Sequence, residues 1–292
     1  MKQGNMMEKI LAILCLVIVG VANASAEHIT PNDIRTYKTF ETGKKLSLHI
    51  FNPDSRQSAG RCPAIVFFFG GGWQRGTPRH FYQQAKEFSK HGMVAIAAEY
   101  RVKNTHGTTP VECVKDGKSA IRWVREHADE LGIDPNRIVS SGGSAGGHSA
   151  ACTGVIDGQE EENEDTDVSS LPNAMVLYNP VVAFRRMPAL SPSNHVRGGL
   201  APTIIFHGTT DSKVPFKSVE YFTKLMINAG NSCVLVPFVG RDHGFYNGSY
   251  FSQGNSDADF NVTMEKSIDF LAEIGFLGNT EGQNQTIYGD KK

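Results

Sequence analysis

The sequence predicts an α/β protein in which helices cover both faces of one mostly parallel central sheet. Continuous apolar runs at residues 64–69 (AIVFFF) and 93–98 (MVAIAA) are typical of strands that are buried on both faces. The longer segments between such runs repeat apolar residues with the spacing of a helix. Because the two kinds of segment alternate along the chain, we expect parallel strands joined by crossover helices in a single domain.

The predicted elements follow this alternation in order. Residues 46–51 (LSLHIF) alternate polar and apolar side chains, as a half-buried strand does. Residues 132–136 (GIDPN) contain Gly and Pro, which end the helix before them. The predicted strands are residues 46–51, 64–69, 93–98, 137–140, 174–178, 202–206 and 233–238. The predicted helices are residues 113–131, 145–153, 214–228 and 263–274.

Composition excludes several classes of protein. The chain has 292 residues, of which 40% are hydrophobic, so it can bury a substantial core. Its 29 Lys and Arg residues against 30 Asp and Glu give a net charge of −1, which argues against a nucleic-acid partner. A mean hydropathy of −0.28 with a single long apolar run excludes a polytopic membrane protein.

That apolar run, residues 10–21, lies at the start of the chain behind Lys2 and Lys9. Small residues at positions 22–26 (ANASA) follow it, so residues 1–26 have the pattern of a secretory signal peptide. We therefore expect a secreted or periplasmic protein that has no membrane attachment in its mature form. The catalytic domain is predicted at 27–278, followed by a polar tail at 279–292.

Export permits disulfide bonds. Cys113 and Cys152 are both predicted on helices that flank the same sheet, so they are candidates for a disulfide. The alternative is that the four cysteines of the mature chain are buried free thiols.

The motif that points most directly to chemistry is residues 142–146 (GGSAG), a G-x-S-x-G sequence between a predicted strand and a predicted helix. Such a sharp turn tolerates only small neighbours and exposes the Ser144 hydroxyl at the carboxyl edge of the sheet. The N–H of Ala145 then lies at the start of the helix, where the helix dipole favours negative charge. We predict Ser144 as a nucleophile.

Three glycines follow the strand at residues 64–69 and precede Trp73. Without side chains, their N–H groups can approach a ligand oxygen closely. An acyl-transfer serine needs such donors for the oxyanion of its tetrahedral intermediate. We predict an oxyanion hole formed by the N–H groups of Gly71, Gly72 and Ala145. Trp73 either lines the mouth of the site, as a substrate contact, or packs in the core.

A serine nucleophile needs a base and an acid that orients it. Asp211 follows the predicted strand 202–206, and His243 follows the strand 233–238. We predict His243 as the base and Asp211 as the acid, in preference to Asp242, whose position next to His243 gives poor geometry. His148 and His207 are predicted to be structural.

With these residues in place, the chain resembles α/β-hydrolases of the esterase and lipase group. It is similar to hormone-sensitive-lipase-like carboxylesterases, and closer to the capless secreted carbohydrate esterases of the acetyl-xylan and feruloyl types. The resemblance covers about residues 37–276, and its motifs are FFFGGGW, AEYR, GGSAGGHSAA, HGTTDSKVP and DHGF. One departure is Phe69, where the lipase-like pattern has His. We expect the backbone donors to remain and other residues to brace the loop.

The resemblance implies a serine carboxylesterase that needs no cofactor or metal. Only 22 residues, 180–201, are available where a helical cap would lie, and an open cleft suits a short acyl group on a bulky polar alcohol. We therefore expect release of acetyl, or of a small aromatic acyl group, from carbohydrate or other small esters. The alternatives are a short-chain carboxylesterase or lipase without carbohydrate preference, a prolyl-oligopeptidase-like serine peptidase, and a non-catalytic binding protein.

Residues 159–167 (QEEENEDTD), hereafter the acidic segment, fall outside the alternating pattern. We predict a solvated surface loop. The alternative is a calcium-binding loop, although the spacing of its carboxylates fits no ligand pattern.

Overall fold

The computed structural model describes residues 28–53, 60–252 and 256–278. Within these ranges eight strands form one sheet in the order β1-β2-β4-β3-β5-β6-β7-β8. Strands β3 to β8 run parallel to one another, whereas β2, near one edge, is antiparallel to both of its neighbours, β1 and β4. The strands are β1 (Asp33–Thr39), β2 (Lys45–Phe51), β3 (Cys62–Phe68), β4 (Val94–Ala98), β5 (Ile133–Gly143), β6 (Ala174–Tyr178), β7 (Thr203–Gly208) and β8 (Cys233–Phe238). The predicted mostly parallel α/β sheet is confirmed.

Helices cover both faces of this sheet. They are α1 (Tyr82–Lys90), α2 (Lys103–His106), α3 (Pro110–Glu126), α4 (Ala128–Leu131), α5 (Ala145–Val155), α6 (Phe216–Asn228) and α7 (Ala258–Glu273). Helices α3, α5 and α6 pack on one face with Val66 and Phe68 of β3. Helices α1 and α7 pack on the other face with Ile65 and Phe67. Successive residues of β3 therefore enter two separate cores, which explains its unbroken apolar sequence.

Several predicted boundaries were wrong. The predicted helix 113–131 begins earlier, because Thr109 and Glu112 form a capping box ahead of it. It is also interrupted at His127, which separates α3 from α4. The strand predicted at 137–140 starts at Ile133, which pairs with Cys62 before a register shift in β3. Strand β1 and helix α1 were not predicted.

The acidic segment is not the solvated loop that its sequence predicts. Three of its glutamates, Glu160, Glu161 and Glu164, are only partly exposed and form ion pairs with basic side chains of β1, α3 and the loop after β4. The basic partners are Lys38, Arg101, Lys118 and Arg122. The carboxylates are thus used in a structural network, and no group of metal-ligating side chains is found in the described ranges.

The cysteines of the described chain are free thiols, so the disulfide considered for Cys113 and Cys152 is absent. The Cys113 thiol donates to the carbonyl of Arg101, and the Cys152 thiol donates to that of Leu190. The two sulfurs therefore point to different partners although α3 and α5 are neighbours. Cys62 differs from the expectation of burial because it is partly exposed.

The signal peptide predicted at 1–26 and the tail predicted at 279–292 lie outside the described residues. None of the helices that are described combines the length and apolar character needed to cross a bilayer. Because β3 to β8 run in one direction, the loops after β3, β5, β7 and β8 meet at a single edge of the sheet.

Candidate active site

Ser144 joins the end of β5 to the start of α5. Its backbone has φ 56° and ψ −119°, a conformation that non-glycine residues rarely adopt. It is partly exposed, whereas the residues on both sides of it, 141–143 and 145–150, are buried. The turn thus presents a single hydroxyl to solvent at the carboxyl edge of the sheet, as the sequence predicts.

The glycines of the turn allow α5 to lie against the end of β3. A Cβ atom on Gly146 would lie 2.0 Å from the carbonyl oxygen of Phe68, and one on Gly142 would lie 2.6 Å from the same oxygen. Gly70, two residues after Phe68, is also near the turn, since its own Cβ would lie 3.1 Å from the carbonyl oxygen of Gly143 and 3.4 Å from the Cβ of Ser144. The close packing therefore brings the glycine loop, residues 69–73, beside the exposed serine.

Three backbone donors at this point are free. In the part of the chain that the structure describes, the N–H groups of Gly71, Gly72 and Ala145 have no hydrogen-bond acceptor. Gly71 and Gly72 have φ of 133° and 64°, which lets the loop turn outward between β3 and the following residues. The N–H of Gly70 is not free, because it donates to Nδ1 of His80 at 3.0 Å. The free donors are the ones predicted for the oxyanion hole.

Asp211 and His243 are in direct contact. Nδ1 of His243 lies 2.8 Å from Oδ2 of Asp211, and the Asp211 side chain is fully buried. The other oxygen, Oδ1, accepts the N–H groups of Lys213 and Val214 at 2.8 Å each. Burial by itself would raise the pKa of Asp211, but these hydrogen bonds, the one from His243 foremost, hold it well below its usual range. The carboxylate is therefore ionised and faces the imidazole.

Asp242 has a different role. Its carboxylate is exposed and accepts the N–H groups of Ser212 and His243, both at 2.7 Å. These contacts fix the backbone of the loop without touching the imidazole ring. The geometry therefore favours Asp211 over Asp242 as the partner of the base.

The loop that carries His243 also packs on the serine turn. The Tyr246 hydroxyl lies so close to Gly143 that a Cβ there would be 2.0 Å from it. Tyr246 is only three residues after His243, and Gly143 immediately precedes Ser144. The structure thus brings together the loops after β3, β5, β7 and β8, which hold all the residues predicted for the nucleophile, the base, the acid and the oxyanion hole.

Two residues of the site were missed by sequence reasoning. Asn179 directly follows β6, is fully buried and donates from Nδ2 to Oδ2 of Asp211. Its φ is 43°, so it occupies a turn at the strand end, and this position was a cue that could have identified it. His80 lies ten residues after Gly70 in a 3-10 turn (Pro78–Phe81), and no feature of the sequence links it to the glycine loop.

Phe69 stands where the lipase-like pattern has a histidine, so other residues hold the glycine loop in place. The Tyr100 hydroxyl donates to the carbonyl of Phe69 at 2.5 Å, and the two rings stack with centroids 4.1 Å apart. His80 accepts the N–H of Gly70 on the other side. Bracing by other residues was expected from the sequence, although their identity was not.

Trp73 extends this bracing to α5. Its indole N–H donates to Nδ1 of His148 at 3.3 Å, and its ring stacks on Phe184 at 4.7 Å. Nε2 of His148 in turn lies 2.7 Å from the carbonyl of Leu190. Burial lowers the pKa of His148 to about 4, so the imidazole is neutral and structural. Trp73, the last residue of the glycine loop, is partly exposed and packs against the core, as one of the two interpretations expected. Its role as a substrate contact stays a prediction.

His207 is also structural, as expected. It is fully buried in β7, and its Nε2 donates to the carbonyl of Val214 at 2.9 Å. This contact closes the loop that carries Asp211.

Comparisons with known proteins agree with this geometry. The BD-FAE family model matches residues 48–184. An acetylxylan esterase of Xylanibacter ruminicola is 28% identical over 72% of this chain and 48% of its own length. The apo structure of Thermogutta terrifontis esterase 2 is 47% identical, with a TM-score of 0.80 over 85% of this chain and 96% of that one. The chain belongs to the α/β-hydrolase esterases.

A third relative, a probable isoprenylcysteine alpha-carbonyl methylesterase of Arabidopsis thaliana, is 27% identical over 64% of this α/β-hydrolase and 46% of its own length. The chain thus spans about half the length of the curated relatives it matches. It spans nearly the whole of the Thermogutta esterase. The arrangement of a polarised imidazole, an exposed hydroxyl and free backbone donors in this α/β-hydrolase is suited to acyl transfer.

Proposed function

We propose that this α/β-hydrolase is a secreted serine esterase that removes short acyl groups, acetyl above all, from carbohydrate or other small esters. The observation that carries the proposal is the hydrogen bond between Asp211 and His243 at the sheet edge where Ser144 is presented. A buried carboxylate on Nδ1 of an imidazole leaves the other ring nitrogen, Nε2, as the base.

In the first half-reaction, Oγ of Ser144 attacks the ester carbonyl carbon while its proton passes to Nε2 of His243. The carbonyl oxygen becomes an oxyanion that accepts hydrogen bonds from the N–H groups of Gly71, Gly72 and Ala145. When the intermediate collapses, the bond to the alcohol oxygen breaks and the proton moves from Nε2 to that oxygen. The alcohol leaves, and the acyl group stays on Ser144.

In the second half-reaction, water replaces the alcohol. His243 removes a proton from the water, whose oxygen attacks the acyl carbon and again forms an oxyanion in the hole. Collapse of this intermediate breaks the bond to Oγ of Ser144, which regains its proton from Nε2. The carboxylic acid is released and ionises in solution.

The substrate proposal rests on the partial exposure of Ser144 and on the short turns that connect β6 to β7. Between β6 and β7, the described chain forms two short 3-10 turns, Pro188–Leu190 and Pro192–Asn194, where a helical cap would lie. An uncapped site leaves room for a large polar alcohol such as a sugar, and gives a long acyl chain little apolar surface to bury. The similarity to an acetylxylan esterase supports the same substrate class.

A second candidate is a general short-chain carboxylesterase with no carbohydrate preference. It is favoured by Thermogutta terrifontis esterase 2, which is 46% identical in its propionate-bound form and 45% in its butyrate-bound form. The two candidates share the chemistry of Ser144 and differ in whether the alcohol contributes binding energy.

Secretion is supported by the sequence of residues 1–26 alone. It is tested by expressing the full chain in a Gram-negative host and locating the protein by fractionation. The proposal requires periplasmic or extracellular protein whose first residues have been removed. Full-length protein in the cytoplasm would contradict it.

The catalytic proposal is tested with p-nitrophenyl acetate. Ser144→Ala is expected to lower kcat by about 10⁴-fold or more, since removing a serine nucleophile leaves only background catalysis. Ser169→Ala, on the exposed surface, is the matched control and should retain full activity. Paraoxon should phosphorylate the wild type once, and mass spectrometry should locate the label on Ser144. A fully active Ser144→Ala variant would refute the mechanism.

Substrate class is tested by comparing kcat/KM for different esters. Faster release of acetate from acetylated xylan than from p-nitrophenyl acetate supports the carbohydrate proposal. Equal kcat/KM values for p-nitrophenyl acetate, p-nitrophenyl propionate and p-nitrophenyl butyrate, with no acetate released from acetylated xylan, support the general carboxylesterase. Preference for octanoate would argue against an open short-chain site, and cleavage of a proline amide would indicate a peptidase.

A further inference from the structure

His80 connects two loops of the proposed active site. One supplies the oxyanion donors, and the other carries the base His243. His80 is 8% exposed and lies between the glycine loop and the base loop, residues 241–247. Its Nδ1 accepts the N–H of Gly70 at 3.0 Å, and its Nε2 lies 2.7 Å from Oδ1 of Asn247. Gly70 precedes the free donors of Gly71 and Gly72, and Asn247 is four residues after His243.

These two contacts determine where the proton of the imidazole lies. A backbone N–H can only donate, so Nδ1 of His80 must carry a lone pair. The proton is then on Nε2 and is donated to the amide oxygen of Asn247. Accepting the N–H of Gly70 requires the neutral ring, and burial lowers the pKa of His80 to about 4. At neutral pH the imidazole therefore links the two loops, with Nδ1 as the acceptor toward Gly70 and Nε2–H as the donor toward Asn247.

Both the His80 ring and its partner Asn247 are held in place by further contacts. The His80 ring stacks on Phe81 at 4.8 Å and on Phe251 at 4.3 Å, which fixes its plane. The N–H of Asn247 donates to the carbonyl of Gly244 at 3.0 Å, so Asn247 closes the turn that follows His243. Nε2 of His80 also lies 3.4 Å from the hydroxyl of Tyr246, a second contact with the base loop. A displacement of the glycine loop would break the bond from Gly70, and a displacement of the base loop would break the bond to Asn247.

We propose that His80 is a positioning residue for acyl transfer, which holds the oxyanion donors of the glycine loop at a set distance from the base on the facing loop. The proposal rests on the proposed function. Its chemical consequence is specific: the oxyanion and the proton on Nε2 of His243 develop together in the transition state, so the separation of the two loops matters most there. Ground-state binding of the ester depends much less on it.

The test compares two replacements of His80. Phe keeps the ring and its stacking partners but provides neither an acceptor nor a donor. Gln provides an amide oxygen for Gly70 and an amide N–H for Asn247. On p-nitrophenyl acetate, His80→Phe is expected to lower kcat by about 10–100-fold with KM changed less than about twofold. His80→Gln should recover most of this loss. His91→Phe, on an exposed surface, is the control and should match the wild type.

A transition-state analogue provides a readout that a purely structural role would leave unchanged. Trifluoroacetone forms a tetrahedral adduct with a serine nucleophile, and its oxygen occupies the oxyanion position. In His80→Phe its inhibition constant should rise by the same factor by which kcat/KM falls, while inhibition by acetate stays constant. Equal weakening of both inhibitors, or a loss that appears in KM alone, would overturn the proposal.

Imidazole ¹⁵N shifts of the wild-type protein test the link without any variant and without turnover. At pH 7, His80 should show the neutral tautomer with its proton on Nε2; a proton on Nδ1 would overturn the proposal even if His80→Phe does not fold. If the wild type releases no acyl group, the proposed function fails and the positioning role falls with it. If the wild type is active and His80→Phe keeps its kcat, only the positioning role fails.

Discussion

At the scale of single residues, the Asp211 carboxylate is fully occupied by donors. Oδ1 accepts the N–H groups of Lys213 and Val214, and Oδ2 accepts from His243 and Asn179. Each of the four partners donates a hydrogen, so the site requires a group that only accepts. A carboxylate satisfies this requirement, whereas a carboxamide places its own donors against at least one of these N–H groups.

Replacing Asp211 by Asn should therefore lower kcat by about 10⁴-fold while leaving the fold intact, because His243 loses the acceptor that holds its tautomer. Turnover of p-nitrophenyl acetate and circular dichroism measure the two effects. Asp242→Asn is the matched control: Asp242 contacts Ser212 and the backbone N–H of His243 but not its imidazole, so the change should alter kcat by less than about tenfold. A greater loss in Asp242→Asn than in Asp211→Asn would reverse the assignment.

Sequence reasoning predicted Ser144, Asp211 and His243 as site residues because each follows a strand end, and parallel strands place such loops together. Asn179 meets the same criterion, but an Asn at a strand end also occurs in ordinary turns. His80 could not be found, because its contacts with Gly70 and Asn247 depend on how α1 and the base loop fold against the sheet. Neighbouring residues in the chain contain no information about such contacts.

At the scale of elements, the contact between β3 and α5 decides whether the glycine loop reaches the serine. It depends on Gly142 and Gly146, which lie against the carbonyl oxygen of Phe68. A backbone oxygen cannot move aside as the end of a flexible side chain can, so any added atom must displace one of the two elements.

Gly146→Ala should accordingly shift α5 away from β3, because the new Cβ would lie 2.0 Å from a backbone oxygen. The expected result is a loss of about 1–3 kcal/mol in the free energy of unfolding and a fall in kcat. Urea denaturation measures the free energy of unfolding, and turnover of p-nitrophenyl acetate measures kcat. Gly60→Ala is the control, since it meets no atom within 4 Å and should leave both quantities unchanged. An unchanged Gly146→Ala would show that the packing is looser than the structure has it.

A second element-scale feature is the ion-pair network that joins β1, α3 and the acidic segment. At its centre is Asp116, which is fully buried and accepts from Lys38 at 2.8 Å and from Arg101 at 2.8 Å. Arg101 also bonds to Glu161. Breaking a buried pair leaves uncompensated charge, which costs much more than the pair itself contributes.

Asp116→Ala is therefore expected to lower the free energy of unfolding by about 3–5 kcal/mol in urea denaturation. The control is Asp129→Ala, because Asp129 pairs with Arg61 while its side chain is 81% exposed; its loss should be at most about 1 kcal/mol. Similar losses in the two variants would mean that water screens the network as it screens the surface pair.

The acidic segment also shows why a run of charges is difficult to interpret from sequence. Its basic partners Lys38 and Arg101 are 123 and 60 residues away from Glu161. Without the fold, the carboxylates have no visible partners and a solvated loop is the natural prediction. The prediction of one continuous helix over 113–131 was wrong for a different reason. The helical spacing of apolar residues continues through His127, whereas the helical backbone is interrupted there.

At the scale of the whole molecule, two buried imidazoles link stability to pH. Burial lowers the pKa of both His80 and His148 from 6.5 to about 4. The unfolded chain therefore binds protons at these residues at higher pH than the folded chain does. Their contribution to stability is complete above about pH 6.5 and is lost as the pH falls toward about 4.

We expect the free energy of unfolding, measured in urea, to fall between pH 6.5 and 4 by up to about 1.4 kcal/mol per pH unit for each histidine. His148→Gln, which does not titrate, should have a shallower slope in this range than the wild type. His28→Gln, at an exposed position, serves as the control and should keep the wild-type slope. A slope that is the same in all three proteins would show that other groups cause the acid sensitivity.

Cys62 offers a route to oriented attachment. Of the thiols in the described chain it alone is partly exposed, and it begins β3, while the glycine loop follows the other end of that strand. The six steps along β3 amount to about 20 Å. A maleimide dye or a thiol-reactive support coupled there would sit on the far rim of the sheet. Enzyme immobilised in this way would present the edge of the sheet that carries Ser144 to its substrate.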